Sequence, residues 1–146
     1  MEFAVVLPLF VIILFAIVDF GIFFFVQHTV QFATREGARV ALVGRQLDDG
    51  AGNPLSREAS IVKTIEDKAK VAVRPTDLTI AIYAVNADYT DPTGWLASRD
   101  AGLPGQFMRV RVRYHYKLIT PLIGSLFNGG KILVQAEATY KNEQFN

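Results

Sequence analysis

The sequence predicts an α+β protein: a long N-terminal apolar helix followed by a small globular domain with a second helix and a three- to four-stranded antiparallel sheet. Three observations carry this. From Phe3 to Val26 the chain is apolar except for Asp19; from Gln27 to Arg45 the apolar residues fall on one helical face; and two later stretches, Phe107–Lys117 and Lys131–Lys141, alternate with period two.

The first stretch, about 24 residues at ~1.5 Å each, makes a rod of ~36 Å, enough to cross ~30 Å of hydrocarbon with some tilt. A cleaved signal peptide has a basic n-region, a shorter apolar core and a small-residue cleavage site. None of these accompanies Phe3–Val26, so the segment is expected to stay in the working protein. A chain of 146 residues has too little other structure to bury such a rod on every side, so it belongs in a membrane or a bundle of helices.

Beyond Gln27 the helix continues with Val30, Ala33, Gly37, Val40 and Ala41 set among Gln31, Arg35, Glu36 and Arg39, the pattern of a helix lying against a domain. One continuous helix over residues 1–45 is predicted, with the globular domain over 46–146. Pro8 lacks an N–H and is expected to bend the helix, while Gly21 and Gly37 permit close approach by another helix.

Residues 46–54, rich in Asp, Gly and Asn, form a loop. Ser56 is placed to cap a second helix from Arg57 to about Val73, with Glu58 in its first turn, Ile61, Ile65, Ala69 and Ala72 inward, and Arg74-Pro75 ending it. Leu78, Ile80, Ile82 and Ala84 mark a first strand, and residues 86–105, with the single Trp95, read as a long surface excursion. In Phe107–Lys117, Met108, Val110, Val112, Tyr114 and Tyr116 face one way and Arg109, Arg111, Arg113, His115 and Lys117 the other. An apolar connection, Leu118–Phe127, and the turn Asn128-Gly129-Gly130 lead to the last strand, with Ile132, Val134, Ala136, Ala138 and Tyr140 on one face.

Composition narrows the functional classes. The hydrophobic content of 51% and mean hydropathy of +0.25 come largely from the first stretch, and a net charge of +1 argues against nucleic acid as a partner. The absence of cysteine removes disulfides, thiolate metal sites and a cysteine nucleophile. His28 and His115 lie far apart in sequence, no Gly-rich phosphate loop appears, and Asp88 and Asp91 read as turn chemistry rather than a calcium loop. No catalytic residue, metal ligand or cofactor is expected.

Glu2-Phe3-Ala4-Val5-Val6-Leu7-Pro8-Leu9, Val18-Asp19-Phe20-Gly21 and Thr34-Arg35-Glu36-Gly37-Ala38-Arg39 resemble the TadE-like pilins and pseudopilins of the tight-adherence pilus. Val110-Arg111-Val112-Arg113-Tyr114 and Ala136-Glu137-Ala138 resemble that family's closing strands more loosely, and residues 46–105 carry no resemblance. The resemblance implies a leader removed by a prepilin peptidase, a domain outside the cytoplasmic membrane, and assembly into a filament by a cytoplasmic ATPase. Here Glu2 follows Met1 directly, and the cations Arg35, Arg39 and Arg45 follow the span; a leader carrying Lys or Arg would restore the usual charge bias.

Assembly and register are assigned to Glu2, Phe3, Pro8, Asp19 and Gly21. The resemblance gives Glu2 a partner, the N-terminal amine of the neighbouring subunit, and a buried carboxylate needs one. Asp19 costs about 2.5–3.5 kcal/mol at a membrane centre, which predicts either a partner in another copy, such as a backbone group or Arg35, or a protonated carboxyl bonded to its own helix. Phe10, Phe15, Phe20, Phe23, Phe24 and Phe25 are read as helix-packing residues. Arg35, Glu36, Gly37 and Arg39 mark the junction of helix and domain. Arg109, Arg111, Arg113 and Lys117 are a possible basic docking face, or a solvated sheet face with partners such as Glu137.

The sequence thus predicts a structural subunit that polymerises with itself or related pilins, resident in the cytoplasmic membrane before assembly and in an extracellular filament after it. Two alternatives remain at this stage: a minor pseudopilin that primes or caps a fibre of another subunit, and a membrane-anchored periplasmic binding module.

Overall fold

The computed structural model describes residues 2–120, 124, 125 and 127–144, and for residues 2–5 and 128 the backbone only. Helix α1 runs unbroken through Pro8 over Glu2–Leu42, 41 residues or about 62 Å at ~1.5 Å per residue. Helix α2 spans Arg57–Ala69, and three strands follow: β1 (Thr79–Ala84), β2 (Phe107–Lys117) and β3 (Lys131–Lys141). The sheet is antiparallel in the order β1-β2-β3, with Ile82 opposite Val110 and Val110 opposite Ala138. This is the α+β arrangement the period-two and helical patterns predict.

The inner face of the sheet and α2 both pack on the C-terminal part of α1. Val26, Val30, Ala33 and Ala41 meet Ile61, Ile65, Ile80, Ile82, Met108, Val110, Val112, Val134 and Ala136 in one apolar core. Ile61 and Ile65 are fully buried, and burial of such a side chain contributes roughly 1.5–3 kcal/mol. Gly37 is what lets α2 approach: a Cβ there would stand 2.5 and 2.8 Å from the Ile65 side chain.

Ser56 caps α2 as its position predicts, its hydroxyl accepting from the Ala59 N–H at 3.1 Å. The helix ends four residues short of Val73, because Arg74 must be extended ahead of Pro75 (ψ 129°) and the chain unwinds before it. The 86–105 segment is no free excursion. It folds back on β1, where Ile82 donates to the Ser98 carbonyl and accepts from the Asp100 N–H, both at 2.9 Å, in a parallel bridge to Arg99. Ala81 and Tyr83, on the outer face of β1, are consequently buried along with Ile80 and Ile82.

Candidate functional site: the N-terminal helix and its junction

α1 passes through two environments. From Val6 to Val18 every side chain is exposed except the half-buried Ala16, and Val6, Leu9, Phe10 and Ile17 are 60, 60, 60 and 68% exposed. From Asp19 onward one face of the same helix is covered. Residues 2–18 would measure about 26 Å, close to one hydrocarbon thickness of ~30 Å. By length and apolarity α1 contains a candidate membrane span.

Asp19 sits where cover begins, only 1% exposed. Its two carboxylate oxygens accept from the backbone N–H groups of Ile119 and Thr120, each at 2.9 Å. These amides belong to the connection that leaves β2, whose Tyr116 ring meets Phe23 edge-on at 5.7 Å. Asp19 therefore has two partners within the chain, and neither is on its own helix. A carboxylate with two amide donors is satisfied where it stands, and it fixes the level along α1 at which the β2–β3 hairpin ends. Sequence reasoning missed this pairing because its members lie 100 and 101 residues apart. The one available signal was an apolar connection following a strand end, which leaves open amides needing an acceptor.

The other predicted residues divide. Phe10, Phe15, Phe20, Phe24 and Phe25 are exposed, whereas Phe23 is half-buried against Tyr116. Gly21 has open space where a Cβ would stand, in contrast to Gly37. Pro8 lies on the exposed part of α1, and the side chains of Glu2 and Phe3 are outside the described residues. Arg35 borders a surface cleft with Gln31 and Glu137, and Glu36 and Arg39 line another with Val40 and Arg45. His28 and His115 are both exposed, and no cluster of metal-ligating side chains occurs among the described residues.

The basic row on the outer sheet face is largely engaged inside the chain. Asp91 holds Arg109 through one oxygen and Arg111 through the other, both at 2.6 Å, and also accepts from the Tyr83 hydroxyl at 2.8 Å. Arg111 also pairs with Glu137 and lies 4.4 Å from the Trp95 ring centre. Asp88 does perform turn chemistry, accepting from Thr90; Asp91 instead ties the 86–105 segment to the sheet. Burial works against the charge of Asp91, but the hydrogen bonds from Tyr83, Arg111 and Arg109 outweigh it and hold this carboxyl below its usual range. Burial, with the bond to Asp91, pushes the Tyr83 hydroxyl up to about 12. Arg113 and Lys117 are the members of the predicted docking row without an ion pair among the described residues.

An apolar rod left bare at one end and sheathed at the other points to an envelope protein anchored in a membrane by its N-terminal helix. The model of the TadE-like protein family matches residues 1–39, which hold the N-terminal motifs of the resemblance but not the looser ones on the closing strands. That is 39 of 146 residues, and it ends just short of the end of α1. No curated protein and no solved structure matches the chain. The match and the apolar helix together fit a protein associated with the Tad pilus.

Proposed function

We propose that the protein is a structural subunit of a Tad-type pilus or related filament, held in the membrane by α1 before assembly and polymerising with copies of itself or related pilins through residues 2–18. The observation that carries this reading is the bare apolar rod, exposed from Val6 to Val18 apart from Ala16, projecting from a domain that covers one face of the rest of the same helix. In lipid such a surface gains little from association, since acyl tails are as apolar as Leu; out of lipid it strongly favours a bundle. Phe10 and Phe15 supply contact area between rods, and open space at Gly21 admits a neighbouring helix. Glu2 sets the axial register by pairing with the N-terminal amine of the next subunit. A prepilin peptidase and the pilus assembly machinery are the partners this reading requires.

The test is Ile17→Asp in cells that make the filament, because Ile17 is 68% exposed and away from the domain core. Sheared filaments should contain the native chain as an abundant component and should lack the variant, while the thermal melt of the variant's globular domain stays unchanged. Native chains found only as solitary single-span molecules would sink the reading. Native chains present at trace level in fibres built of another subunit would make this a priming or capping subunit instead.

A further inference from the structure

The β2–β3 hairpin ends in an unusual place for a soluble sheet. Asp19 fixes Ile119 and Thr120 at its own level on α1, and Tyr116 lies level with Phe23. On the faces of α1 not covered by the sheet, exposed apolar side chains continue past this level through Phe20, Ile22, Phe24 and Phe25, and the first polar exposed residue is His28. Phe25 stands six residues, or about 9 Å, further along the helix than Asp19. A bilayer that covers this apolar band therefore covers Ile119 and Thr120 as well.

The hairpin end is built for that position. Ile119 is 65% exposed and Phe127 is 36% exposed. Directly behind them Lys117 and Lys131 stand opposite each other across the two strands, both exposed and without an ion pair or hydrogen bond among the described residues. Like charges directly opposite destabilise a strand pair unless an anion lies between them. A cleft of about 490 Å³ opens at the same spot, walled by Leu118, Ile119, Gly124, Phe127 and Gly130 with Lys117 at its rim. Apolar walls with cations at one edge match an acyl chain and its phosphate, and long Lys side chains keep their charge at the headgroup while their stems lie in the apolar zone.

We propose that Ile119 and Phe127, on the two flanks of the β2–β3 connection, form a second membrane contact by entering the leaflet that faces the globular domain, with Lys117 and Lys131 binding the phosphates of anionic phospholipids. The anchor is then a rod and a wedge side by side, locked at one depth by the Asp19 carboxylate. The domain is held against the bilayer surface at a fixed tilt instead of swinging on a single helix. This rests on the membrane-anchored state of the proposed function and not on polymerisation.

The chain has no cysteine, so single nitroxide labels can be placed at will. Full-length Ile119→Cys, Phe127→Cys, Phe10→Cys and Leu103→Cys variants are reconstituted in nanodiscs of phosphatidylcholine alone or with phosphatidylglycerol, and label collisions with oxygen and with a water-soluble nickel complex are compared. Labels at positions 119 and 127 should favour oxygen severalfold over the label at 103 and approach the one at 10. Adding Lys117→Ala and Lys131→Ala should require severalfold more phosphatidylglycerol to reach the same protection at 119. Nickel access at 119 and 127 equal to that at 103, with 10 protected, overturns the wedge and leaves the anchor standing. Nickel access at 10 removes the anchor and with it the wedge. Spin broadening at 119 that disappears on dilution with unlabelled chain puts a second copy on this surface and also overturns the proposal.

Discussion

Residues 6–18 and 19–42 form one uninterrupted helix, yet they live under different physics. Val30 and Ala33 are fully buried, held by α2 and the sheet, whereas Val6 and Ile17 are mostly exposed. Short isolated helices are marginal in water, so the bare half needs surroundings that the fold does not supply; under the proposed function these are lipid first and sister helices later. The sheathed half draws it from the domain. Hydropathy alone does not mark the change, because the apolar run continues to Val26; the marker is the one acid inside it.

The strongest way to break this comparison is to remove that marker. Asp19→Ala leaves the part-buried N–H groups of Ile119 and Thr120 without their acceptor, and a fully buried unpaired donor costs about 1–3 kcal/mol. A loss of about 3 kcal/mol is expected in urea unfolding of the full chain in detergent, followed through Trp95. Ile17→Ala, two residues away on the bare side, should shift the same transition by less than about 0.5 kcal/mol. Equal effects would mean that the boundary does not lie at Asp19.

The two glycines of α1 give the next contrast. Gly37→Val forces branched carbons into space already held by Ile65, and overpacking of this kind costs about 1–3 kcal/mol. Gly21→Val meets nothing within 4 Å and should leave the melt of the isolated subunit unchanged or slightly raised, since glycine is a poor helix former. Its effect should surface only in assembly, as reduced fibre yield, if neighbouring rods approach there. A domain destabilised by Gly21→Val would contradict the open environment of that residue.

Much of this architecture was legible in the sequence because it depends on local periodicity. Strands β2 and β3 begin and end where their alternation does, and Ser56 announced its helix. The close approach at Gly37 was legible too, as a glycine inside the helix that permits another helix to come near. What stayed hidden depends on contacts between distant segments. Asp19 finds its amides a hundred residues on, and Asp91 reaches Arg109 and Arg111 across 18 and 20 residues. The charge row on β2 therefore read as a possible docking face although its first two arginines are spent on holding the 86–105 segment in place.

That segment supplies the smallest and most specific test, on the side of the sheet away from α1. Tyr83→Phe removes the hydroxyl that donates to Asp91 while keeping the ring against Trp95 at 5.5 Å, and one hydrogen bond of this kind contributes about 1 kcal/mol. Its pH signature separates it from a packing defect. The Tyr83 hydroxyl is pushed up to about 12 in the fold from an ordinary value of 10, so the fold favours its neutral form. The stabilisation is fully present below pH 10 and drains away as pH rises from there to about 12. Tyr83→Phe should flatten the alkaline fall of stability in that window, with a residual slope from Tyr140, whose hydroxyl burial also pushes up. On the acid side the sign reverses. Asp91 is held below its usual range, so its contribution is present above the unfolded carboxyl value of 3.8 and is lost as pH falls through the lower folded value. Asp91→Asn should flatten that acid limb and leave the alkaline one with most of its slope. Because the cluster lies across the sheet from α1, neither variant should alter the lipid depth of a label at position 10. A shift there would show that the sheathed and bare halves of the helix respond as one body.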